Sequence, residues 1–303
     1  MNGTGERPSW LRVKAPGGDG FRAVLATVRD SKLHTVCESA RCPNQGECWS
    51  RGTATFMILG NICTRSCGFC AVETGRPTEL DLDEPRRVAE AVAAMGLGYA
   101  VVTSVNRDEL ADGGAGIFAQ TVREIRARVP GCQVELLIPD FRGDPSALAT
   151  VLAAGPDVLN HNTETVPRLY AKVRPQADYA RTLQLLARSA ESGVPTKSGL
   201  MLGLGETKAE VLEVLGDLRR QGCCILTLGQ YLSPGPDYLP IARWVPPAEF
   251  DELRVAALAL GFAHCESGPL VRSSYHAEDA TGGSRLGARG DQASGIRQRI
   301  ETR

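Results

Sequence analysis

The sequence has few of the features that mark membrane, secreted or nucleic-acid-binding proteins. Its longest apolar run, residues 91–102, is interrupted by Gly96 and Gly98 and is shorter than the ~20 residues that span a bilayer. Residues 1–18 contain no apolar segment of the kind that directs secretion. The formal net charge is -1, so no excess of basic residues favours nucleic acid or acidic lipid. We therefore expect a cytoplasmic protein without membrane or nucleic-acid partners.

Histidine is scarce, whereas cysteine is abundant. The 303 residues include 4 histidines and 10 cysteines. The cytoplasm keeps thiols reduced, and a chain of this length buries enough apolar surface to fold without disulfides. Metal-ligating thiolates are therefore a better explanation for the cysteines than a disulfide framework.

From residue 51 onward, short β-rich segments alternate with longer amphipathic segments. The predicted strands cover residues 53–59, 99–105, 133–138, 157–160, 196–202 and 224–229. The predicted helices cover residues 85–95, 117–128, 146–154, 179–192, 208–220 and 248–260. A glycine follows each helical segment, where a left-handed C-terminal cap favours it. Six β/α units predict a parallel sheet, either open and doubly wound or closed into a partial or full (β/α) barrel.

The two ends of the chain differ from this β/α region, which we assign to residues 51–262. Residues 1–50 hold three cysteines with little periodicity and are expected to pack against the barrel as an N-terminal extension. Residues 263–277 form a C-terminal segment. Residues 278–303 have almost no apolar content and are predicted to be disordered.

One cysteine group directly follows the first predicted strand. Cys63, Cys67 and Cys70 have the spacing C-x3-C-x2-C, which puts three thiolates in one loop at the carboxyl end of a barrel strand, where active sites form. Three thiolates suit a 4Fe–4S cluster that leaves one iron open to a substrate. The alternative is a structural zinc site, which uses four closed ligands, and no histidine lies near this loop.

A second cysteine group lies in the N-terminal extension. Cys37, Cys42 and Cys48 have the spacing C-x4-C-x5-C, in a polar stretch where Pro43 and Gly46 favour turns. Ordinary buried cysteines are a weak alternative in so polar a stretch, and a single zinc shared by both groups would leave thiolates over. No function is assigned to the other four cysteines, Cys132, Cys223, Cys224 and Cys265.

The loop that carries Cys63, Cys67 and Cys70, with Phe69 before the third cysteine, resembles the signature of radical S-adenosylmethionine (radical SAM) enzymes. The two cysteine groups in this order, followed by the RSSYHA motif at residues 272–277, resemble the lipoyl synthase family. Further matching stretches are residues 52–57, 160–165, 197–206 and 226–231, and the resemblance runs from about residue 10 to residue 277. Asn106 departs from the family pattern, which has an aspartate at this position.

The resemblance implies a full or partial β/α barrel and two 4Fe–4S clusters with different roles. The cluster at Cys63, Cys67 and Cys70 binds S-adenosylmethionine and cleaves it to a 5'-deoxyadenosyl radical. The cluster at Cys37, Cys42 and Cys48 is auxiliary and supplies sulfur. Its fourth ligand is the hydroxyl oxygen of Ser274, with Ser273 as the alternative. The expected catalytic residues are Ser274, Cys63, Cys67 and Cys70.

Several residues are candidates for holding S-adenosylmethionine beside the open iron. They are Phe69 and polar residues near predicted strand ends: Thr103, Ser104, Asn162, Glu164, Lys197 and Gln230. Each of the polar residues, taken alone, also fits an ordinary solvated loop position.

The activity that the resemblance implies is the insertion of two sulfur atoms, at C6 and C8, into an octanoyl group on a lysine of a lipoyl carrier domain. The implied partners are octanoylated carrier domains, such as 2-oxoacid dehydrogenase E2 subunits and the glycine cleavage H protein, and an electron donor such as a ferredoxin or flavodoxin. One alternative is another radical SAM sulfur-inserting enzyme, which would not need Ser274. The other is a non-catalytic metal-binding or redox-sensing protein, which would leave S-adenosylmethionine intact.

Overall fold

The computed structural model describes residues 7–13, 17–51 and 53–281. The tail predicted to be disordered lies outside the described residues from 282 onward. Its first residues belong to a 3₁₀ helix at Ala277–Thr281.

Eight strands form the main sheet, in the order β1-β2-β5-β6-β7-β8-β9-β10. Seven of them, from β2 to β10, pair in parallel, and β1 pairs antiparallel with β2. The separate strands β3 and β4 pair with each other. The bounds are β1 (His34–Thr35), β2 (Thr55–Ile58), β3 (Ile62–Cys63), β4 (Glu73–Thr74), β5 (Tyr99–Ser104), β6 (Gln133–Leu137), β7 (Val158–Asn160), β8 (Thr196–Leu202), β9 (Ile225–Gln230) and β10 (His264–Gly268).

Helices connect the successive parallel strands. The bounds are α1 (Asp19–Asp30), α2 (Val36–Ser39), α3 (Gln45–Ser50), α4 (Glu84–Ala94), α5 (Ala115–Arg128), α6 (Pro145–Ala153), α7 (Tyr170–Val173), α8 (Tyr179–Glu191), α9 (Lys208–Arg220) and α10 (Pro247–Ala259). Short 3₁₀ helices lie at Ser9–Leu11, Phe141–Gly143 and Pro167–Leu169. Polar caps begin several helices, including the reciprocal capping box between Thr207 and Glu210 at α9.

The β/α prediction is confirmed. All six predicted strands and all six predicted helices are present, with every end within two residues of its predicted position. Strands such as β2 and β9 are buried along their whole length, as expected where helices cover a parallel sheet. No pairing within the described residues joins β10 back to β1 or β2, so the barrel is partial. None of the described helices is long and apolar enough to cross a membrane.

Eight elements were not predicted, besides the short 3₁₀ helices: β1, β3, β4, β10, α1, α2, α3 and α7. The longest strand and the longest helix among them are β10 and α1. The strand β10 extends the parallel sheet beyond β9, although its sequence, HCESG, contains little apolar surface. The helix α1 lies in the N-terminal extension and buries only Val24 and Val28, a stripe too narrow to stand out in the sequence.

Candidate functional site

A cavity of about 320 Å³ opens where the parallel strands end. We call it the barrel cavity. Its walls include residues at or just after the carboxyl ends of β5, β7 and β9, the part of a barrel in which loops from several strands converge on a ligand. The structure brings nine of the sequence-predicted site residues to it: Cys63, Cys67, Phe69, Cys70, Thr103, Ser104, Asn162, Glu164 and Gln230.

The loop that carries the three cysteines is fixed by backbone contacts. Cys63 is the last residue of β3, and the backbone N–H groups of Arg65 and Asn106 each donate to its Sγ at 3.4 Å. The backbone N–H of Leu239 donates to the carbonyl oxygen of Gly68 at 3.0 Å. A Cβ at Gly68 would lie 2.8 Å from the Leu239 side chain, so only glycine allows this approach.

Arg65, between the first two cysteines of the loop, anchors it to the barrel through buried ion pairs. Its guanidinium donates to Asp108 at 2.7 and 2.8 Å and to Asp140 at 2.6 Å. Asp140 also accepts from Arg181 at 3.1 Å. Burial alone would raise the pKa of Asp140, but the hydrogen bond and charge of Arg65 outweigh burial, and the pKa lies below its ordinary value. Nothing in the sequence pattern marks Arg65 except its position inside the cysteine loop.

Three buried side-chain atoms on the cavity wall are suited to a polar ligand. Within the described residues, Ser104 Oγ, Asn106 Oδ1 and Asn162 Oδ1 have no hydrogen-bond partner. Buried polar atoms are rarely left unpaired, because an unmet donor or acceptor costs ~1–3 kcal/mol. A bound molecule with hydroxyl or amino groups would pair these atoms.

Glu164 is held in an uncommon backbone conformation beside these atoms. Its φ is 67°, in the left-handed region that non-glycine residues avoid unless the surrounding structure enforces it. Burial raises the pKa of Glu164, although the charge of Arg174 opposes this shift. Nearby, a Cβ at Gly199 would collide with Thr227 Oγ1 and lie 3.0 Å from Asn162 Oδ1. Glycine therefore keeps space open around the Asn162 amide.

A second, smaller cavity of about 50 Å³ contains the other cysteine group. We call it the N-terminal cavity. Cys37 lies in α2, Cys48 in α3 and Cys42 in the turn between these helices, and all three line the cavity with Ser274. The Thr55 hydroxyl donates to Ser274 Oγ at 2.8 Å. The structure thus brings together four residues that are separated by up to 237 positions in the sequence.

The C-terminal segment folds over the N-terminal extension at this cavity. The Asn44 side-chain amide donates to the Leu270 carbonyl oxygen at 2.7 Å. The Tyr275 hydroxyl donates to Glu47 at 3.2 Å. Ser273 lines the barrel cavity, whereas the next residue lines the N-terminal cavity. Adjacent serines therefore face different sites.

Comparison with known proteins decides the family. The model of the radical SAM superfamily matches residues 57–218, and that of the N-terminal domain of lipoyl synthase matches residues 2–42. The lipoyl synthase of Rubrobacter xylanophilus is 60% identical over 286 residues, covering 94% of this chain and 89% of that protein. The lipoyl synthase of Koribacter versatilis is 59% identical, covering 90% of each. The chain belongs to the lipoyl synthase family.

Solved structures agree with the fold of this lipoyl synthase family member. Methylornithine synthase has a TM-score of 0.53 at 13% identity and covers 69% of each chain. SuiB of Streptococcus suis, bound to its precursor peptide SuiA, has a TM-score of 0.55 at 10% identity, covering 82% of this chain and 52% of SuiB. At these identities the likeness concerns the fold alone. The resemblance drawn from the two cysteine groups is confirmed by the family match.

Members of the lipoyl synthase family are radical SAM enzymes with S-adenosylmethionine and two 4Fe–4S clusters as cofactors, and the donor chemistry of the two cavities fits this requirement. Burial raises the pKa of Cys67 to about 12 and of Cys70 to about 11 in the barrel cavity. It raises the pKa of Cys37 to about 11 and of Cys48 to about 12 in the N-terminal cavity. Such thiols are protonated at neutral pH until a metal displaces the proton.

The cysteine groups do not converge as they would around one ion. Within the described part of the chain, no group of three or more histidine, cysteine or acidic side chains stands close enough to hold a single metal ion. A 4Fe–4S cluster binds one protein ligand at each of several irons and therefore spreads its thiolates more widely.

Two predicted cofactor contacts have other partners in the structure. Lys197 does not line the barrel cavity; it is buried, and its Nζ donates to the Glu135 carboxylate at 2.9 and 3.1 Å. Gln230 lines the cavity, but its Nε2 donates to the Leu202 carbonyl oxygen and its Oε1 accepts from the Val245 backbone. The polar atoms of both side chains thus have partners within the barrel.

Proposed function

We propose that the chain carries out the lipoyl synthase reaction: it inserts sulfur at C6 and C8 of an octanoyl group attached to a lysine of a lipoyl carrier domain. The observation that carries the proposal is the separation of two cysteine trios into two neighbouring cavities. Unactivated C–H bonds resist acid–base chemistry, so a cofactor must supply the radical that breaks them. One cavity then serves radical formation and the other serves sulfur supply.

In the barrel cavity, Cys63, Cys67 and Cys70 would hold the cluster that binds S-adenosylmethionine at its open iron. When bound, this group supplies the electron that cleaves the cofactor. The protein contributes the fixed loop geometry. The two backbone N–H groups that donate to Cys63 Sγ stabilise a thiolate, because hydrogen bonds to a charged acceptor are stronger than those to a neutral one.

The nucleoside part of the cofactor would lie against Asn162 and Glu164. A carboxylate beside an amide with a free acceptor suits the vicinal hydroxyls of a ribose. Ser104 offers a further hydroxyl. Thr103 presents its methyl group, since its hydroxyl donates to the Leu137 carbonyl oxygen at 2.8 Å. Phe69 adds an apolar wall.

In the N-terminal cavity, Cys37, Cys42, Cys48 and Ser274 would hold the auxiliary cluster. An oxygen ligand is harder than a thiolate, and an alkoxide is readily protonated and released when the cluster gives up sulfur. The hydrogen bond from Thr55 to Ser274 fixes the hydroxyl at this cavity. Residues 1–50 and 263–277 would thus be functional extensions of a barrel at residues 51–262.

The proposed reaction needs two protein partners, a carrier domain and an electron donor. The substrate is an octanoyl-lysine on a carrier domain, for which E2 subunits of 2-oxoacid dehydrogenases and the glycine cleavage H protein are the candidates. A ferredoxin or flavodoxin would reduce the barrel cluster. The reaction requires reduced thiols, which favours the cytoplasm.

The test is anaerobic reconstitution with iron and sulfide, followed by mass spectrometry of an octanoyl-lysine peptide after addition of S-adenosylmethionine and a reductant. We expect a peptide that has gained two sulfur atoms, and two molecules of 5'-deoxyadenosine for each lipoyl group. An unmodified peptide with cleaved cofactor would favour another radical SAM enzyme. Intact cofactor in the cluster-loaded protein would favour a metal-binding or redox-sensing role.

A further inference from the structure

Arg272 occupies a position that the roles above do not explain. Of the described residues that line either cavity, it alone lines both. It directly precedes Ser273, which faces the barrel cavity, and Ser274, which faces the N-terminal cavity. The arginine therefore stands in the wall between the two proposed cluster sites.

The structure holds this arginine in place through the backbone around it. The carbonyl oxygen of Leu270 accepts from the Asn44 amide at 2.7 Å, which fixes the start of the segment to the N-terminal extension. A Cβ at Gly229 would collide with the Val271 carbonyl oxygen and lie 3.3 Å from Arg272 Nη1. Glycine at the end of β9 is thus required for the segment to pass so close to the sheet.

The guanidinium of Arg272 has more N–H donors than its hydrogen bonds use. It makes one hydrogen bond with a described residue, from Nη1 to the Val271 carbonyl oxygen at 2.6 Å, whereas an arginine carries five N–H donors. Burial lowers the pKa of Arg272 and the like charge of Arg7 acts in the same direction, whereas the charges of Cys42 in one cavity and Glu164 in the other oppose this shift. A desolvated cation with one neutral acceptor is poorly satisfied unless an anion binds beside it.

We propose that Arg272 is a positioning residue that places a positive charge between the two cavities and stabilises the auxiliary cluster. This inference rests on the proposed function. A four-iron cluster held by three thiolates and a serine oxygen carries net negative charge, and reduction adds a further electron. A cation in a poorly solvated wall therefore favours the reduced state and raises the reduction potential. A residue that tunes this cluster should affect sulfur insertion more than cofactor cleavage.

The experiment uses the full chain in which Cys63, Cys67 and Cys70 are replaced by alanine, so that only the auxiliary cluster remains. Its reduction potential is measured by an anaerobic redox titration that follows the cluster absorbance and its electron paramagnetic resonance signal. Arg272→Met should move the potential to a more negative value with the cluster content unchanged. Arg272→Lys, which keeps the charge, should restore most of the difference.

The matched control is Arg51→Met. Arg51 also lines the N-terminal cavity and its charge acts on Cys48, but its side chain is 50% exposed and is screened by water. Its replacement should shift the potential less than Arg272→Met does. A second readout uses the otherwise native chain, in which Arg272→Met should lower the yield of lipoyl product about tenfold more than it lowers 5'-deoxyadenosine formation.

The outcomes separate this inference from the proposed function. If no cluster assembles in the chain in which Cys63, Cys67 and Cys70 are replaced by alanine, the assignment of a cluster to the N-terminal cavity is wrong. If the cluster assembles and Arg272→Met leaves its potential unchanged, or shifts it no more than Arg51→Met, the role of Arg272 is overturned. A shift that Arg272→Lys does not reduce would also contradict a role for the charge.

Discussion

The two cavities each collect three cysteines, but the protein builds them differently. The barrel cavity is walled by the ends of strands that pair along a continuous parallel sheet. The N-terminal cavity lies against residues of β2 and β5 and is otherwise walled by α2, with four residues, by α3, with six, and by the C-terminal segment. Helices this short are not stable alone. The first site is therefore part of the scaffold, and the second depends on contacts between the two ends of the chain.

The contacts that hold the two cavities also differ in how deeply they are buried. Buried ion pairs of Arg65 anchor the barrel loop, with side chains of Arg65 and Asp140 that are 4% and 1% exposed. Partly exposed contacts hold the C-terminal segment, including Tyr275 to Glu47 and Arg51 to His276. In the proposed division of work, the site of radical formation is held by buried ion pairs, whereas the site whose cluster gives up sulfur is closed by partly exposed contacts.

The largest expected effect comes from the barrel trio. Replacing Cys63, Cys67 and Cys70 by alanine should remove one of two clusters and abolish 5'-deoxyadenosine formation, because no iron remains to bind the cofactor. Iron and sulfide analysis with chromatography of the nucleoside products checks both effects. Cofactor cleavage at the native rate would show that the two cavities do not divide the work in this way.

The next largest effect is expected from the adjacent serines Ser273 and Ser274, which line different cavities. Ser274→Ala should retain cofactor cleavage and lose lipoyl formation, since the N-terminal cavity would lack its oxygen ligand. Ser273→Ala is the matched control, because this serine faces the barrel cavity. Mass spectrometry of the octanoyl-lysine peptide measures the product. Full product from Ser274→Ala, or a larger loss from Ser273→Ala, would count against Ser274 as the ligand.

A stability measurement examines the anchor of the barrel loop. Arg65→Gln should lower the free energy of unfolding by ~3–5 kcal/mol, because it leaves Asp140 buried without its main counter-charge. Arg181→Gln should cost less, since the Arg181 side chain is 33% exposed. Anaerobic denaturant unfolding of the metal-free chain provides both values. Equal losses of unfolding free energy in Arg65→Gln and Arg181→Gln would mean that burial does not set the strength of these ion pairs.

The same ion pair predicts the direction of a pH effect. The pKa of Asp140 is lower in the folded chain than in the unfolded one, where it is ~3.9. Its contribution to stability is therefore present above the unfolded pKa and is lost as the pH falls below it toward the folded pKa. Unfolding measured between pH 6 and pH 3, about the range that brackets this value, should show a smaller loss in Arg65→Gln than in the native chain.

The smallest effect is expected at the outer edge of the N-terminal cavity. Tyr275→Phe removes the hydrogen bond to Glu47, which lies at the surface, and should cost about 1 kcal/mol or less. Thermal unfolding of the reconstituted protein measures it. A much larger loss would show that the C-terminal segment is held as firmly as the barrel loop.

Much of the fold was predictable because the barrel strands and helices have strong local signals. The sequence also indicated that the cysteines form two groups, and the members of each group line one cavity. The strand β10 was missed because a strand at the end of the sheet needs little apolar surface, unlike the buried strands within it. The helix α1 was missed because its apolar stripe is narrow.

At the site, sequence patterns say least about residues whose contacts depend on distant partners. Lys197 is the second residue of β8, at the amino end of the strand and not at the carboxyl end that faces the cavity. No local signal reveals its ion pair with Glu135 on another strand. Similarly, the side-chain amide of Gln230 forms hydrogen bonds with the backbone of Leu202 and Val245. Arg65 was overlooked for the same reason, because its two aspartate partners lie 43 and 75 positions away. Long-range pairing of this kind becomes visible only in three dimensions.

The central claim is that the barrel cavity cleaves the cofactor and the N-terminal cavity supplies sulfur. The most direct measurement uses the chain with Cys37, Cys42 and Cys48 replaced by alanine, reconstituted with iron and sulfide and given S-adenosylmethionine, a reductant and an octanoyl-lysine peptide. The account predicts 5'-deoxyadenosine in the products and a peptide that gains no sulfur. Lipoyl peptide from this variant, or loss of cofactor cleavage while the barrel cluster remains loaded, would contradict it.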